Sequence, residues 1–279
     1  MLGRIAIHLN RDPACARRLR AAIQLATEHK AELIGVYPDE QVASYLYEDT
    51  VMPEELHKVL RNKIEQARSE IQKLFIKETS AAGVRAHWRV PQGAADEALA
   101  VHARYCDLLI MSKAENKDTT TSLMPNLPEA VVMAAGRPVL MIPAVGDVLP
   151  IGRRILFCWD NRRESARAFT DAAPILQACS ELVVLTADSH PDDLRKKDLR
   201  ENDFADYCAS LGYPKPHMVF KKSENVGGIG NVILNASTDY GSDLIIMGAY
   251  GHSRMRQWIM GGASRTMFSS MTVPILLSH

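Results

Sequence analysis

SDLIIMG, residues Ser242 to Gly248, is a short apolar run closed by a glycine, and it has a twin in CDLLIMS, Cys106 to Ser112. The twins lie 136 residues apart, and the match continues without a gap: RPVLMIP from Arg137 aligns with VPILLSH from Val273, Pro138 facing Pro274. Near the two starts GRIAIHLN aligns with GRRILFCWD, Arg4 facing Arg154 at a spacing of 150. Self-similarity of this kind reads as a tandem duplication. The seam falls in PAVGDVLPIG, Pro143 to Gly152, whose prolines and glycines suit a linker. Two domains of similar length are therefore expected, over residues 1–145 and 151–279.

Each half alternates short apolar runs with longer amphipathic ones. RIAIHLN, AELIGVY, VRAHWRV, DLLIMS and PVLMIP read as strands in the first half. Asp12-Pro13 is expected to open a helix as N-cap and first helical residue. A second helix starts at Pro53 and ends before Gly83, with Leu56, Leu60, Ile64, Ala67, Ile71 and Leu74 on one buried stripe. The second half repeats the order: RILFCWD, a helix from about Ser165, ELVVLTA, a helix around 192–211, HMVFKK, a helix from about Gly230, DLIIMG, a helix from about Gly262, and VPILLS. Strands that are apolar almost throughout, alternating with helices, call for a parallel sheet covered on both faces. The fold class is α/β, doubly wound, present twice.

The chain of 279 residues balances 33 basic against 33 acidic side chains. Zero net charge speaks against nucleic acid or an anionic membrane as the main partner. Five cysteines, odd in number and without a CxxC pair, point to reduced thiols. No stretch approaches the length of a membrane span, and Arg4, His8 and Asn10 break any signal-like start, so a cytoplasmic protein is expected. The nine histidines show no metal-ligand spacing, and neither a GxSxG elbow nor a GxxxxGK[ST] loop is present. VGGIGN, Val226 to Asn231, lacks the full GxGxxG spacing and reads as a turn.

Glycines at 248, 251, 261 and 262 cluster after DLIIM, at the carboxyl end of a strand, where doubly wound sheets hold ligands. A helix start offers free N–H groups and a positive dipole end, and a glycine lets an anion come close to the main chain. His252, Arg254 and Arg256 lie between them and would add donors. In the first half the matching positions are Ser112, Glu115, Pro125 and Asn126. The same elements are expected there without any of the four glycines, so chain geometry alone does not require them.

Gly248-Ala-Tyr-Gly251, nine residues, then Gly261, followed by Val273-Pro274-Ile275-Leu276, resembles the universal stress protein family. The resemblance covers the whole chain as two tandem domains, by motif in the second and by pattern in the first. It implies Rossmann-like domains of the adenine nucleotide alpha hydrolase-like type, each a five-stranded parallel sheet. It also implies an adenine nucleotide (ATP, ADP or AMP), bound in the C-terminal domain of a stress-response regulator, with magnesium entering only on the nucleotide. Transferred onto this sequence, the motif places phosphates around Met247, Gly248, Gly251, His252, Gly261, Gly262, Ala263 and Ser264. Cys158, Trp159 and Asp160 end the domain's first strand beside the ribose, and Ala187 lies against the adenine.

The family usually has Ser or Thr where this chain has Gly262, and Ser264 two residues on is the nearest hydroxyl. No catalytic residue is apparent, so hydrolysis or autophosphorylation would at most be slow. The remaining readings are an enzyme on the same fold, transferring adenylyl groups or electrons through a flavin, and a tandem scaffold with no nucleotide. The resemblance further implies that the two halves mimic a dimer within one chain, and a homodimer is the other arrangement.

Overall fold

The computed structural model describes residues 1–39, 54–112, 126–144, 146, 150–188, 200, 202–224, 226–249 and 270–279. They form two compact units, Leu2–Ala144 and Val145–His279, the latter joined by Met1. In the N-terminal unit the strands are β1 (Arg4–His8), β2 (Glu32–Val36), β3 (Ala86–Arg89), β4 (Leu108–Ser112) and β5 (Val139–Ile142). They lie in the order β3-β2-β1-β4-β5, every pair parallel. In the C-terminal unit β6 (Arg154–Cys158), β7 (Glu181–Ala187), β8 (His217–Lys221), β9 (Leu244–Gly248) and β10 (Ile275–Ser278) repeat that order as β8-β7-β6-β9-β10, again parallel. The duplication read from the sequence is therefore a duplication of topology.

Burial explains the strand composition. β4, β5, β9 and β10 are buried at every residue, which only side chains apolar on both faces allow. β3, at the edge of its sheet, alternates half-buried with exposed residues.

The helices are α1 (Cys15–His29), α2 (Glu54–Ala81), α3 (Ala95–Ala103), α4 (Leu127–Ala135), α5 (Arg163–Asp171), the single turn α6 (Ala173–Leu176), α7 (Asp203–Ser210) and α8 (Ile229–Asp239). They cover both faces of the sheets, as the sequence pattern requires. Of the stripe expected on α2, Ala67 is buried and Ile64, Ile71 and Leu74 are half-buried; Phe75, which the stripe did not include, is the most buried of the helix's described side chains. Phe75 and Leu9 press so close to β2 that a Cβ at Gly35 would meet them at 2.9 and 2.8 Å. Pro174 has no N–H to continue α5, and the chain restarts as α6.

The start of α1 departs from expectation. The helix begins at Cys15, and Asp12 works one turn earlier: its Oδ1 accepts the Ala14 N–H at 2.7 Å and its carbonyl accepts the Cys15 N–H at 2.9 Å. The carboxylate closes a turn that leads into the helix and does not cap it. The helix expected from about Gly262 lies outside the described residues, and of the one expected around 192–211 only Asp203–Ser210 is seen.

Candidate functional site

The carboxyl edge of the C-terminal sheet is built around β6. Cys158 pairs with Leu185 of β7, and Phe157 with Ile246 of β9. The Trp159 N–H extends the ladder onto the Leu185 carbonyl at 2.9 Å. Carried forward in register, Asp160 stands level with Ala187, and Trp159 with Gly248. β6 and β9 flank the point where strand order reverses, so these residues border the switch-point crevice.

Asp160 begins a tight turn. Asn161 takes a left-handed φ of 61°, and the Arg162 N–H returns to Asp160 Oδ1 at 3.1 Å. The second carboxylate oxygen is 3.8 Å from Arg162 Nε, and the side chain keeps 32% of its surface exposed. Ser165 then fixes the start of α5: its Oγ accepts the Arg162 N–H at 3.3 Å and donates to the Arg162 carbonyl at 2.9 Å. Glu164 sits inward with Arg163 Nε on its Oε1 at 2.6 Å. Burial alone would raise the Glu164 carboxyl; the Arg163 hydrogen bond, a backbone donor and the charges of Arg163 and His279 outweigh it and hold the group below its ordinary value.

Gly248 answers to this helix. A Cβ there would fall 2.5 Å from the Glu164 carbonyl carbon and 2.7 Å from the Ser165 nitrogen, both backbone atoms. The expectation that chain geometry does not require the glycines thus fails at Gly248, because the first turn of α5 packs directly on the end of β9. The sequence could not show this, since the N-terminal copy carries Ser112 at the same place. The next residue is tied down as well: the Ala249 N–H donates to the Ser278 carbonyl at 2.7 Å.

Among the residues expected at the site, Cys158, Trp159, Asp160, Ala187, Met247 and Gly248 meet on this edge, with Met247 buried in β9. Gly251, His252, Gly261, Gly262, Ala263 and Ser264 lie outside the described residues. Trp159 leans on Phe204 of α7 with ring centroids 4.8 Å apart, and on Phe157 at 5.8 Å. Beyond Ala187, Asp188 at φ 59° accepts the Ser223 N–H at 2.8 Å and the Ser223 hydroxyl at 2.6 Å, which locks the ends of β7 and β8 together. The sequence reading had passed over Asp188, although an acid directly after a strand was the available signal.

The profile of the Universal stress protein family matches residues 1–143 and again 152–279. The chain belongs to the universal stress protein family. A universal stress protein from Archaeoglobus fulgidus superposes with a TM-score of 0.70 at 15% identity, over 99% of this chain and 95% of that one. A Pseudomonas aeruginosa protein assigned to the universal stress proteins gives 0.59 at 13%, over 99% and 93%. The cytoplasmic domain of a prokaryotic cation chloride cotransporter gives 0.53 at 11%, over 99% and 95%, which at that identity speaks for the fold alone. No curated protein is a sequence match.

Other chemistry is weakly served at this universal stress protein's edge. Burial, with the Asp160 charge beside it, pushes the Cys158 thiol far up, so it stays protonated at neutral pH and makes a poor nucleophile. Among the described residues no group of three or more His, Cys, Asp or Glu is placed to hold a metal ion. Of VGGIGN, expected as a turn, Val226 to Gly228 form one, with Gly227 and Gly228 at φ 76° and 103°, and Ile229 to Asn231 already belong to α8. No helix of the described residues is long and apolar enough to cross a membrane. At the matching edge of the N-terminal unit the structure brings in a residue that the sequence reading passed over, the buried Arg18 of α1.

Proposed function

We propose that the chain is a cytoplasmic stress-response regulator whose C-terminal unit binds ATP or a related adenine nucleotide at the carboxyl edge of β6 and β9. One observation carries the reading. Asp160 spends one carboxylate oxygen on its own turn, and the other, 3.8 Å from Arg162 Nε on a side chain 32% exposed, stands beside the start of α5 at the switch-point edge. A carboxylate so placed accepts hydrogen bonds from the hydroxyls of a ribose, and a helix start at the same edge favours phosphate.

The residues present fit such a group in part. Asp160 supplies the acceptor, Ala187 ends β7 level with it, and the glycine-rich stretch from Gly251 to Gly262 would supply main-chain donors on the sequence motif. Gly248 contributes differently, by letting α5 approach. Membership of the family supports the stress-response role.

Calorimetric titration of the nucleotide-stripped chain with ATP, ADP and AMP tests the reading. Saturation at one site per chain supports it, and loss of that heat in Gly251→Val, with folding retained, supports the glycine assignment. No heat with any of the three nucleotides refutes it.

A further inference from the structure

The two units present the same edge with different side chains. By the repeat spacing His8 corresponds to Cys158, Asn10 to Asp160 and Arg18 to Ala168, each 150 residues on, while Ser112 corresponds to Gly248. Arg18 stands on α1 with 1% of its surface exposed. Its Nε donates to the His8 carbonyl at 3.0 Å, one terminal nitrogen donates to Asn10 Oδ1 at 2.5 Å, and the other donates to Ser112 Oγ. The guanidinium therefore spans from the end of β1 to the end of β4, the two strands at the switch point of this unit.

A buried cation is tolerated where acceptors replace its water, and three converge here. Two come from positions at which this unit differs from its partner. A glycine at 112 would take away the hydroxyl. Asn10 Oδ1 also receives the Asp12 N–H at 3.3 Å, as Asp160 Oδ1 receives the Arg162 N–H in the other unit, and the place of the second carboxylate oxygen is taken here by an amide nitrogen, which cannot accept. His8 beside it adds no second cation. Burial, then the charge of Arg18, hold its imidazole well below the ordinary value. In the C-terminal unit Ala168 is fully buried and reaches nothing across the crevice.

We infer that Arg18 is a built-in occupant of the N-terminal crevice, the residue that excludes a nucleoside from this unit and confines ligand binding to the other. The occupancy stands on the geometry of this unit; only the second clause rests on the nucleotide reading of the C-terminal unit.

The test uses the full chain and adenosine, which carries ribose and base without phosphate. Asn10→Asp restores the acid but leaves Arg18 to pair with it, so adenosine stoichiometry stays at the wild-type value. Asn10→Asp combined with Arg18→Ala removes the occupant and gains one adenosine site per chain over wild type. A folded double variant with no added site overturns the inference, and so does a gain in the single variant, which would make Asn10 the barrier. Should the double variant fail to fold by circular dichroism, the wild-type chain decides: under 2,3-butanedione with peptide mapping, Arg18 stays unmodified while the exposed Arg163 reacts. Modification of Arg18 at the rate of Arg163 overturns the inference. Failure of the nucleotide reading is seen separately, as a wild-type chain that takes up no ATP.

Discussion

At the scale of single residues, Gly248 and Asp160 carry different burdens on one edge. Gly248→Ser would install the residue that the N-terminal unit uses at the same position, yet here its Cβ meets backbone of α5 at 2.5 Å. Backbone cannot rotate away as a side chain does, so overpacking of about 1–3 kcal/mol is expected. A urea unfolding midpoint equal to wild type would show that α5 does not press on β9. Asp160→Ala should instead leave most of the stability in place, costing about 1 kcal/mol for the lost bond to the Arg162 N–H. Its larger effect should be on nucleotide affinity, weaker by about 1.5–3 kcal/mol, the worth of a hydrogen bond to a charged group. Calorimetry separates the two outcomes, and unchanged affinity would remove Asp160 from the site.

At the scale of elements, one device recurs in both units. A carboxylate just before the fourth strand seats the start of the first: Asp107 Oδ2 accepts from the Gly3 and Arg4 N–H groups at 2.7 and 3.0 Å. Asp243 accepts from Gly152, Arg153 and Arg154 at 2.8, 2.9 and 3.0 Å. Removing the acceptor strands these donors at the foot of β6, so Asp243→Ala should cost about 2 kcal/mol or more in urea unfolding. Asp243→Asn, which keeps one acceptor oxygen, should recover part of it; equal loss in both variants would place the effect in the charge alone. Most of the described strands were legible as apolar runs of strand length, the edge strands AHWR and HMVFK interleaving polar residues, and the twin DLLIM and DLIIM runs fixed the repeat. The nine-residue α3 and α4 were not singled out, since so few residues show little periodicity. Asp160 was reached through the family resemblance, which expects an acid at the end of the domain's first strand. Arg18 was not legible, because an arginine within a helix reads as solvent-facing until a neighbouring strand end is known to accept it. The packing role of Gly248 was hidden for the same reason: it depends on where another helix comes to rest.

On the scale of the whole molecule, the two units should answer differently to acid. His8 is enclosed in the N-terminal unit, both ring nitrogens lack a partner, and burial with the nearby Arg18 charge holds its pKa well below the ordinary 6.5. His29 of the same unit is lowered too, mainly by burial. Above pH 6.5 these groups are neutral in folded and unfolded chain alike and the stability is complete. Below it the unfolded chain takes up protons that the folded one refuses, so stability falls with pH by as much as about 1.4 kcal/mol per unit for each such group. Carboxyls held low, such as Glu164, Glu32 and Asp203, lose their contribution only as pH falls below their ordinary values of 4.5, 4.5 and 3.8. Asp243, raised by burial against three backbone donors, works in the opposite direction there. Urea unfolding of the full chain at pH 7.5, 6.5 and 5.5 should therefore resolve the units: the N-terminal transition moves to lower urea on acidification while the C-terminal one holds. His8→Leu, which replaces an unpartnered imidazole by a carbon side chain, should flatten most of that shift. Transitions that move together, or a His8→Leu chain as acid-sensitive as wild type, would mean that the cluster around Arg18 does not set the acid stability of its unit.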